Sequence, residues 1–397
     1  MASLLTIDEA LALVLARARP LDAERVRLEH AAGRILSEDA CAAVDLPPFP
    51  SSAMDGYAVR AADLPATLPV VARVAAGRPA SGPLGPGETM GISTGGVVPE
   101  GADAVVPVEY VVDHDNDSVQ FPSDVGVGEN IRPRGGDIGA GDVVAERGSR
   151  LSAARLGAIA AAGAAEVACV RRPRAAVLAT GTELRAPGEP LAPGQVYESN
   201  GLMLAAQLAT AGAEVERLAP VADDEDAHRA AIARGLDADV LVTSGGVSVG
   251  PHDLVRGIEA DLGVEEVFWR VAVKPGKPVS FGLRGRTLVF GLPGNPVSSF
   301  VAFELFVRPA LEALQGVVDP GPHWLPGRLA RAQRQSVDRD QVVRARLRPE
   351  KDVVLDPLSG QESHMIARAA AADALVLVPR GEGSLPAGSA VRYLALT

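Results

Sequence analysis

Apolar and polar positions divide the chain into stretches of different period. At the amino terminus, "IDEALALVL" spaces its apolar residues for one helical face, and Thr6 followed by Glu9 reads as a capping box opening that helix. An extended stretch follows, broken at "LPPFPSS", which reads as a linker into a new module. Residues 47–145 carry short β-like runs (67–76, 102–112 and 118–121) between Gly and Pro clusters, the pattern of a small all-β unit. Residues 150–172 return to helix, with Ser152 as cap and Gly163 as stop. No strand of their own precedes them, so they are expected to pack back on the first helix. The β unit is then an insertion between two halves, 1–46 and 146–172, of one split helical domain.

From residue 173 the pattern becomes strand, loop, helix, repeated. "AAVLAT", "AEVERLAPV" and "ADVLVTSGG" read as strands. "SNGLMLAAQLATAG", with Ser199 or Asn200 as cap, and "DEDAHRAAIARGL" read as the helices between them. Such alternation predicts a parallel sheet with crossover helices over 173–318. The tail, 319–397, returns to short β runs ("VVRARL", "ALVLVP", "SAVRYLAL") and reads as a separate small barrel or sandwich. The fold class expected is multidomain α/β.

Composition narrows the chemistry. With 397 residues, two to four domains are expected. A hydrophobic fraction of 47% fits a soluble folded protein, and a formal net charge of −12 argues against general nucleic-acid binding, so any anion site must be local. Cys41 and Cys169 fit no metal or redox spacing, and a reducing cytoplasm is the simplest location. Asp8 and Glu9 interrupt the amino-terminal apolar run, against a signal peptide, and no uncharged apolar run suits a membrane span.

Ligands of open parallel sheets collect beyond the carboxyl ends of the strands. Three predicted strands end in unusual loops there: "VLATGTEL", "VLVTSGGVSVGPHD" and "VFGLPGNPVSS". Small residues let a ligand approach the main chain, and Glu183 and Asp253 supply acids. Each acid alone reads equally as a solvated loop residue; together beside amide-rich loops they suit Mg2+ bound with phosphate. Asp223 and Asp224 either join that edge or cap the next helix. In the third loop Pro293 and Pro296 bracket Gly294 and Asn295, with Pro296 where a helix would start and an apolar helical run on to Leu314. That is either a rigid strand-to-helix corner or a loop presenting helix amides, with Ser298, to an anion. "VAVKPGKPVSFG" holds Lys274 and Lys277 on a stiff turn, which suits an oxyanion better than a solvated surface does. In the β unit, Asp55, Thr94, Asp103, Arg132, Arg134 and Asp137 read as turn residues, Asp103 as structural.

The stretches "SSAMDGYAVR", "TGGVVPEGADAVV", "ATGTEL", "SGGVSVGPHD", "KPGKP" and "GLPGNPVS" occur in the order found in the molybdopterin molybdenumtransferases. The chain resembles that family, which is related to the E domain of gephyrin, from end to end. The resemblance implies a split helical domain, an inserted β domain, a parallel α/β domain and a carboxyl-terminal β barrel, assembled as an elongated homodimer with sites shared between subunits. It implies insertion of molybdate into adenylylated molybdopterin with release of AMP, and transient contact with molybdopterin adenylyltransferase and apo-molybdoenzymes. Glu183 and Asp253 would sit at the magnesium and phosphate end of the nucleotide. Gly181, Asn200, Ser244, Gly245, Gly246 and Ser248 would line it, with Pro293, Gly294, Asn295 and Pro296 in the third loop. Lys274, Lys277 and Ser298 would help hold molybdate, with Arg344 and Ser363 of the last domain nearby. Asp55, Thr94, Arg132 and Asp137 match functional positions of the β domain.

The chain departs from the family at Pro50 and Ser51, where Asp-Asn is frequent, and at Glu362, where Gly is common. Arg270 stands where some relatives carry Lys, which keeps the charge. Two other readings remain: an adenylyltransferase with a similar α/β domain, which would not need residues 1–172 or the tail, and a gephyrin-like scaffold.

Overall fold

A computed structural model describes residues 4–114, 117–222, 224–246, 254–349 and 352–396. Helix α1 (Ile7–Leu15) opens with the capping box: Glu9 N–H donates to Thr6 Oγ1 at 3.2 Å and Thr6 N–H to Glu9 Oε2 at 2.8 Å. Strand β1 (Ala23–Arg27) then runs toward the inserted module. That module is a six-stranded curled sheet in the order Ala104–Pro107, Gly56–Val59, Thr89–Ile92, Ala66–Val74, Ser118–Phe121, Val112–His114. The chain returns through α2 (Ala153–Ala161), capped by Ser152, into β2 (Glu166–Val170).

The two halves flanking the insertion are joined differently from the expectation. Antiparallel pairing of β1 with β2, Ala23 opposite Val170 through Arg27 opposite Glu166, links them. The helix α2 does not pack on α1. Ile159 of α2 joins Val26, Leu36, Ala145, Leu151 and Val167, while Ile7, Ala10 and Val14 of α1 are buried in the core of the α/β domain. The amphipathic stripe of α1 announces that it must be buried but carries no information about the partner. Here the partner is the long helix ending at Leu314, and Ala272 N–H donating to Leu5 O at 2.7 Å fixes the approach.

The α/β domain follows the predicted alternation: β3 (Arg174–Ala179), α3 (Asn200–Thr210), β4 (Glu214–Arg217), α4 (Glu225–Gly235), β5 (Val240–Ser244), α5 (Leu254–Asp261), β6 (Glu265–Trp269), β7 (Ser280–Arg284), β8 (Thr287–Leu292) and α6 (Pro296–Ala302). The last helix continues through a π turn, Phe303–Val307, into α7 (Arg308–Leu314). Sheet order is β4-β3-β5-β8-β7-β6; the first four strands are parallel and the last two antiparallel. Alternate residues feed two cores. Ala175, Val177, Val242 and Phe290 face α1, α3 and the α6 to α7 helix; Ala176, Leu178, Leu241 and Val289 face α4 and α5. Each such fully buried Val, Leu or Phe contributes about 1.5–3 kcal/mol, so both faces must be covered for the sheet to persist.

In the carboxyl-terminal domain Leu325–Leu329, Asp340–Pro349, Val353–Pro357, Ala374–Val378 and Ala390–Ala395 close into a five-stranded barrel. Val273–Lys274 adds in parallel beside Asp340–Pro349, which stitches the barrel to the α/β domain.

Candidate active site

Backbone bonding carries the three loops out of the sheet in register. Thr180 N–H donates to Ser244 O at 3.0 Å, Gly245 N–H to Leu292 O at 3.1 Å, and Gly181 N–H to Val221 O at 3.0 Å. Side chains then tie the loops together. Asn200, the first residue of α3, donates through Nδ2 to Ser244 Oγ at 2.9 Å and to Gly294 O at 2.8 Å. Ser244 Oγ lies 3.3 Å from Ser299 Oγ, and Ser299, fully buried, donates to Pro293 O. The carboxyl ends of β3, β5 and β8 are therefore one assembly. Gly245 and Gly246 are required in it: their φ values are +98° and +67°, and a Cβ at Gly245 would stand 2.7 Å from the Thr180 carbonyl oxygen.

The same edge contains a buried acid that the sequence reading missed. Glu198 is only 1% exposed; its carboxylate accepts from Gly201 N–H at 2.6 Å and from Arg217 Nη2 at 2.6 Å. Its own N–H donates to Arg185 O at 2.8 Å, in the small parallel pair Leu184–Arg185 with Val196–Tyr197, and Val196 N–H donates to Glu183 O at 2.9 Å. One carboxylate thus fixes the start of α3, which carries Asn200, beside the segment that carries Glu183. Glu198 stands just ahead of the helix, where an acid complements the helix dipole, and that position is the available signal.

Glu183 itself is exposed, beside Gly181, where a Cβ would meet its carboxylate at 2.5 Å. Asp253, Ser248 and Asp223 lie outside the described residues. Asp224 caps α4, its carboxylate accepting from Ala227 N–H at 2.8 Å. Among the described residues no three His, Cys, Asp or Glu side chains form a metal-binding group.

The turn between β8 and α6 has Pro296 at the first helical position, as expected. Its amides are not all available, however. Val297 N–H donates to Ser363 O of the barrel domain at 3.0 Å, and Ser299 N–H to Asn295 O at 3.1 Å. Ser298 is buried beside the "KPGKP" turn, which Val271 N–H closes by donating to Lys277 O at 3.0 Å. Lys274 is exposed and Lys277 half-buried.

Arg344 is 1% exposed, and its guanidinium donates to Met365 O and Gly360 O at 2.9 Å, with longer bonds to Glu362 O and Gln361 Oε1 at 3.3 Å. It organises the 360–365 loop that delivers the Ser363 carbonyl to α6. Burial pulls the guanidinium below its ordinary range, against the opposing charge of Glu362. The exposed Glu362 shares a cleft of about 140 Å³ with Lys274.

In the inserted module, Asp55 Oδ1 accepts from Thr94 N–H at 2.7 Å, and the pair is brought beside Ile131–Arg132, which pairs with Ser51–Ser52. Ser51 is buried and Pro50 O accepts from Val98 N–H at 3.0 Å, so this departure keeps its main-chain bonds. Asp137 is exposed, its N–H donating to Leu46 O at 2.9 Å, and Arg134 pairs with Asp45 at 2.5 Å. Asp103 is structural, accepting from Ala61 N–H at 2.6 Å.

Three known regions match this chain in order: the MoeA N-terminal region (domain I and II) over residues 5–163, a probable molybdopterin binding domain over 176–313, and the MoeA C-terminal region (domain IV) over 326–396. Molybdopterin molybdenumtransferase 2 of Mycobacterium tuberculosis is 39% identical over 387 residues, covering 94% of this chain and 95% of that protein. The chain belongs to the molybdopterin molybdenumtransferase family. The molybdopterin molybdenumtransferase of Bacillus subtilis is 33% identical over 98% of this chain and 94% of its own. A molybdopterin biosynthesis MoeA protein from Pyrococcus horikoshii OT3 superposes with a TM-score of 0.85 at 27% identity, over 99% of this chain and 100% of that one. Agreement over the whole length covers the inserted sheet and the barrel as well as the α/β domain, so an adenylyltransferase built from that domain alone is not favoured.

Proposed function

We infer that this enzyme inserts molybdate into adenylylated molybdopterin, releasing AMP and molybdenum cofactor. The observation that carries the reading is the locked assembly of loops at the carboxyl ends of β3, β5 and β8, in a chain that matches the family along its length. Gly181, Asn200, Ser244, Gly245, Gly246 and Ser248 would line the nucleotide, with main-chain groups of Pro293 through Pro296. Lys274 and Lys277 would attract molybdate beside Ser298, and Arg344 and Ser363 would act through the loop they hold against α6.

Glu183 and Asp253 would hold Mg2+. The exposed carboxylate of Glu183 is a suitable hard ligand, and a cation bound together with phosphate needs only one or two protein carboxylates. When bound, it would neutralise charge on the phosphate. Asp55, Thr94, Arg132 and Asp137 would complete the site of the partner subunit in a cytoplasmic homodimer.

Incubation with purified adenylylated molybdopterin and molybdate tests the reaction. AMP release with active cofactor supports it; pyrophosphate chemistry or inert binding overturns it in favour of an adenylyltransferase or a scaffold. Mixed dimers test the sharing. A Lys274→Ala chain combined with an Asp55→Ala chain, each folded and nearly inactive alone, should regain about one quarter of sites by random pairing. No recovery would return Asp55 to a structural turn.

A further inference from the structure

The chain leaves the edge strand β6 at Trp269 and enters the turn of Lys274 and Lys277 through Arg270. Arg270 has a φ of +77°, and among the described residues only one other non-glycine residue, Asn130 at +57°, has a positive φ. Asparagine tolerates that region because its short amide can bond locally. An arginine has no such help, so its backbone is strained there and must be held by contacts elsewhere. Both ends of the lysine turn meet at this point: Arg270 N–H donates to Val279 O at 2.9 Å and Val271 N–H to Lys277 O at 3.0 Å.

The side chain of Arg270 lies over the half-buried ring of Trp269, its guanidinium carbon 3.7 Å from the ring centroid. A second guanidinium, that of Arg256 on α5, stands 4.1 Å from the same centroid. Arg256 also donates through Nε and Nη2 to Glu266 Oε2 at 2.8 and 2.6 Å. That carboxylate offsets one positive charge, which lets two cations share one ring. Helix α5 is itself anchored, since Val255 and Ile258 are buried in the core that Leu241 and Val289 also enter. The indole therefore joins a fixed helix to the base of the lysine turn. The far side of the turn is held independently, by Ala272 N–H on Leu5 O and by Val273–Lys274 beside the barrel strand.

Cation–π contacts and the strain of one left-handed residue are of similar size, so the stack is strong enough to hold Arg270 as it stands. We propose that Trp269 is a positioning residue for the reaction: its ring, gripped by Arg256, keeps Arg270 in the left-handed conformation and so sets where Lys274 and Lys277 present their ammonium groups. The inference rests on the reading that these lysines attract molybdate. It requires no contact between the ring and a substrate.

Hydrogen exchange of the full chain reads the clamp without any substrate. Trp269→Leu should speed exchange of the Arg270 and Val271 amides about 10-fold, and Trp269→Phe, which keeps a ring face, by no more than about 3-fold. Arg256→Gln, at a partly exposed side chain, releases the ring from α5 and should speed the same amides about 3-fold, which keeps the test decisive if the Trp269→Leu chain does not fold. Rates of AMP release against molybdate concentration read the consequence. Trp269→Leu should raise the molybdate requirement about 10-fold with a smaller change in kcat and in AMP affinity, and Trp269→Phe should restore most of the loss. Unchanged exchange in the folded variants overturns the proposal, as does faster exchange with an unaltered molybdate requirement, or an equal loss in the Leu and Phe chains. Exchange that responds as expected in a chain whose AMP release ignores molybdate would instead remove the reading of the lysines and leave the clamp standing.

Discussion

Replacing Glu198 by Gln removes one charge and almost no volume from a site that is 1% exposed. Each carboxylate oxygen faces a donor, Gly201 N–H on one side and Arg217 on the other, both at 2.6 Å. An amide has only one acceptor oxygen, so its NH2 must be turned against one of these donors. Leaving a buried donor unmet costs about 1–3 kcal/mol, and charge-assisted bonds stand at the upper end of that range. The side chain of Arg217 is 40% exposed and can turn to water, so about 2 kcal/mol is the working figure. That strain falls on the first turn of α3, and so on the two hydrogen bonds by which Asn200 joins Ser244 to Gly294. If two thirds of it reaches the loops, the nucleotide end loses about 1.4 kcal/mol, or 10-fold in affinity. Calorimetry with AMP, and the KM and kcat of AMP release, read the effect: affinity should fall and KM rise about 10-fold, with a smaller change in kcat. The molybdate dependence, proposed to be set at Lys274 and Lys277, should be unaltered. Glu198→Asp keeps both acceptors and should recover part of the loss. Wild-type AMP affinity in a folded Glu198→Gln chain would refute the reasoning, as would a loss confined to thermal stability.

Three further outcomes are expected. Asp253→Asn, which would remove the hard anionic ligand proposed for Mg2+, should slow AMP release by about 10² or more, and chelation of divalent cations should do the same to the unaltered enzyme; full activity in either case removes the metal assignment. Lys277→Ala should raise the molybdate requirement roughly 10-fold while leaving AMP binding intact, as AMP-release rates against molybdate concentration will report. Glu259 is buried on α5 with Oε1 unpartnered, and burial pushes its carboxyl from 4.5 to about 8, with Arg256 pulling down and Glu266 pushing up. A raised carboxyl binds its proton more tightly in the folded chain, so stability falls as pH rises from about 4.5 to about 8 and is level above; 3.5 units correspond to at most about 5 kcal/mol. Glu259→Gln should flatten that decline in denaturant unfolding of the full chain, and an unchanged pH profile would remove the assignment.

Local physics made much of this architecture readable. The capping box of α1, Pro296 at the start of α6 and Asp224 as the cap of α4 each act through atoms within a few residues, so their sequence signal is complete. Strands such as Val240–Ser244 are buried on both faces and announce themselves as unbroken apolar runs ending in glycines. What the residues did not disclose depends on contacts between distant segments. The stripe on α1 fits any apolar groove, and only the folded chain selects the α/β core. Glu198 reads as an ordinary loop acid until Arg217 arrives from the next strand. Gly294, Asn295 and Ser298 are legible as a rigid corner, but the Val297 amide meets a carbonyl from another domain. The resemblance supplied the domain plan and the chemistry; it did not supply how Arg344 is used.

Arg344 bears on how an acidic protein would attract an oxyanion at all. A net charge of −12 repels a dianion at long range, but at physiological ionic strength that field decays over about 8 Å. Local cations therefore decide the outcome, provided they stay where they are needed. The buried guanidinium of Arg344 is committed to carbonyls of the 360–365 loop and acts by holding Ser363 O on the Val297 amide. Strand pairing of Val273–Lys274 with Asp340–Pro349 fixes the other side of the same seam, leaving the Lys274 head exposed. The barrel thus contributes rigidity to the lysine turn and the α6 corner more directly than it contributes charge. Glu362 opposes the attraction from the cleft it shares with Lys274, so Glu362→Gly should strengthen oxyanion affinity if its charge is felt there.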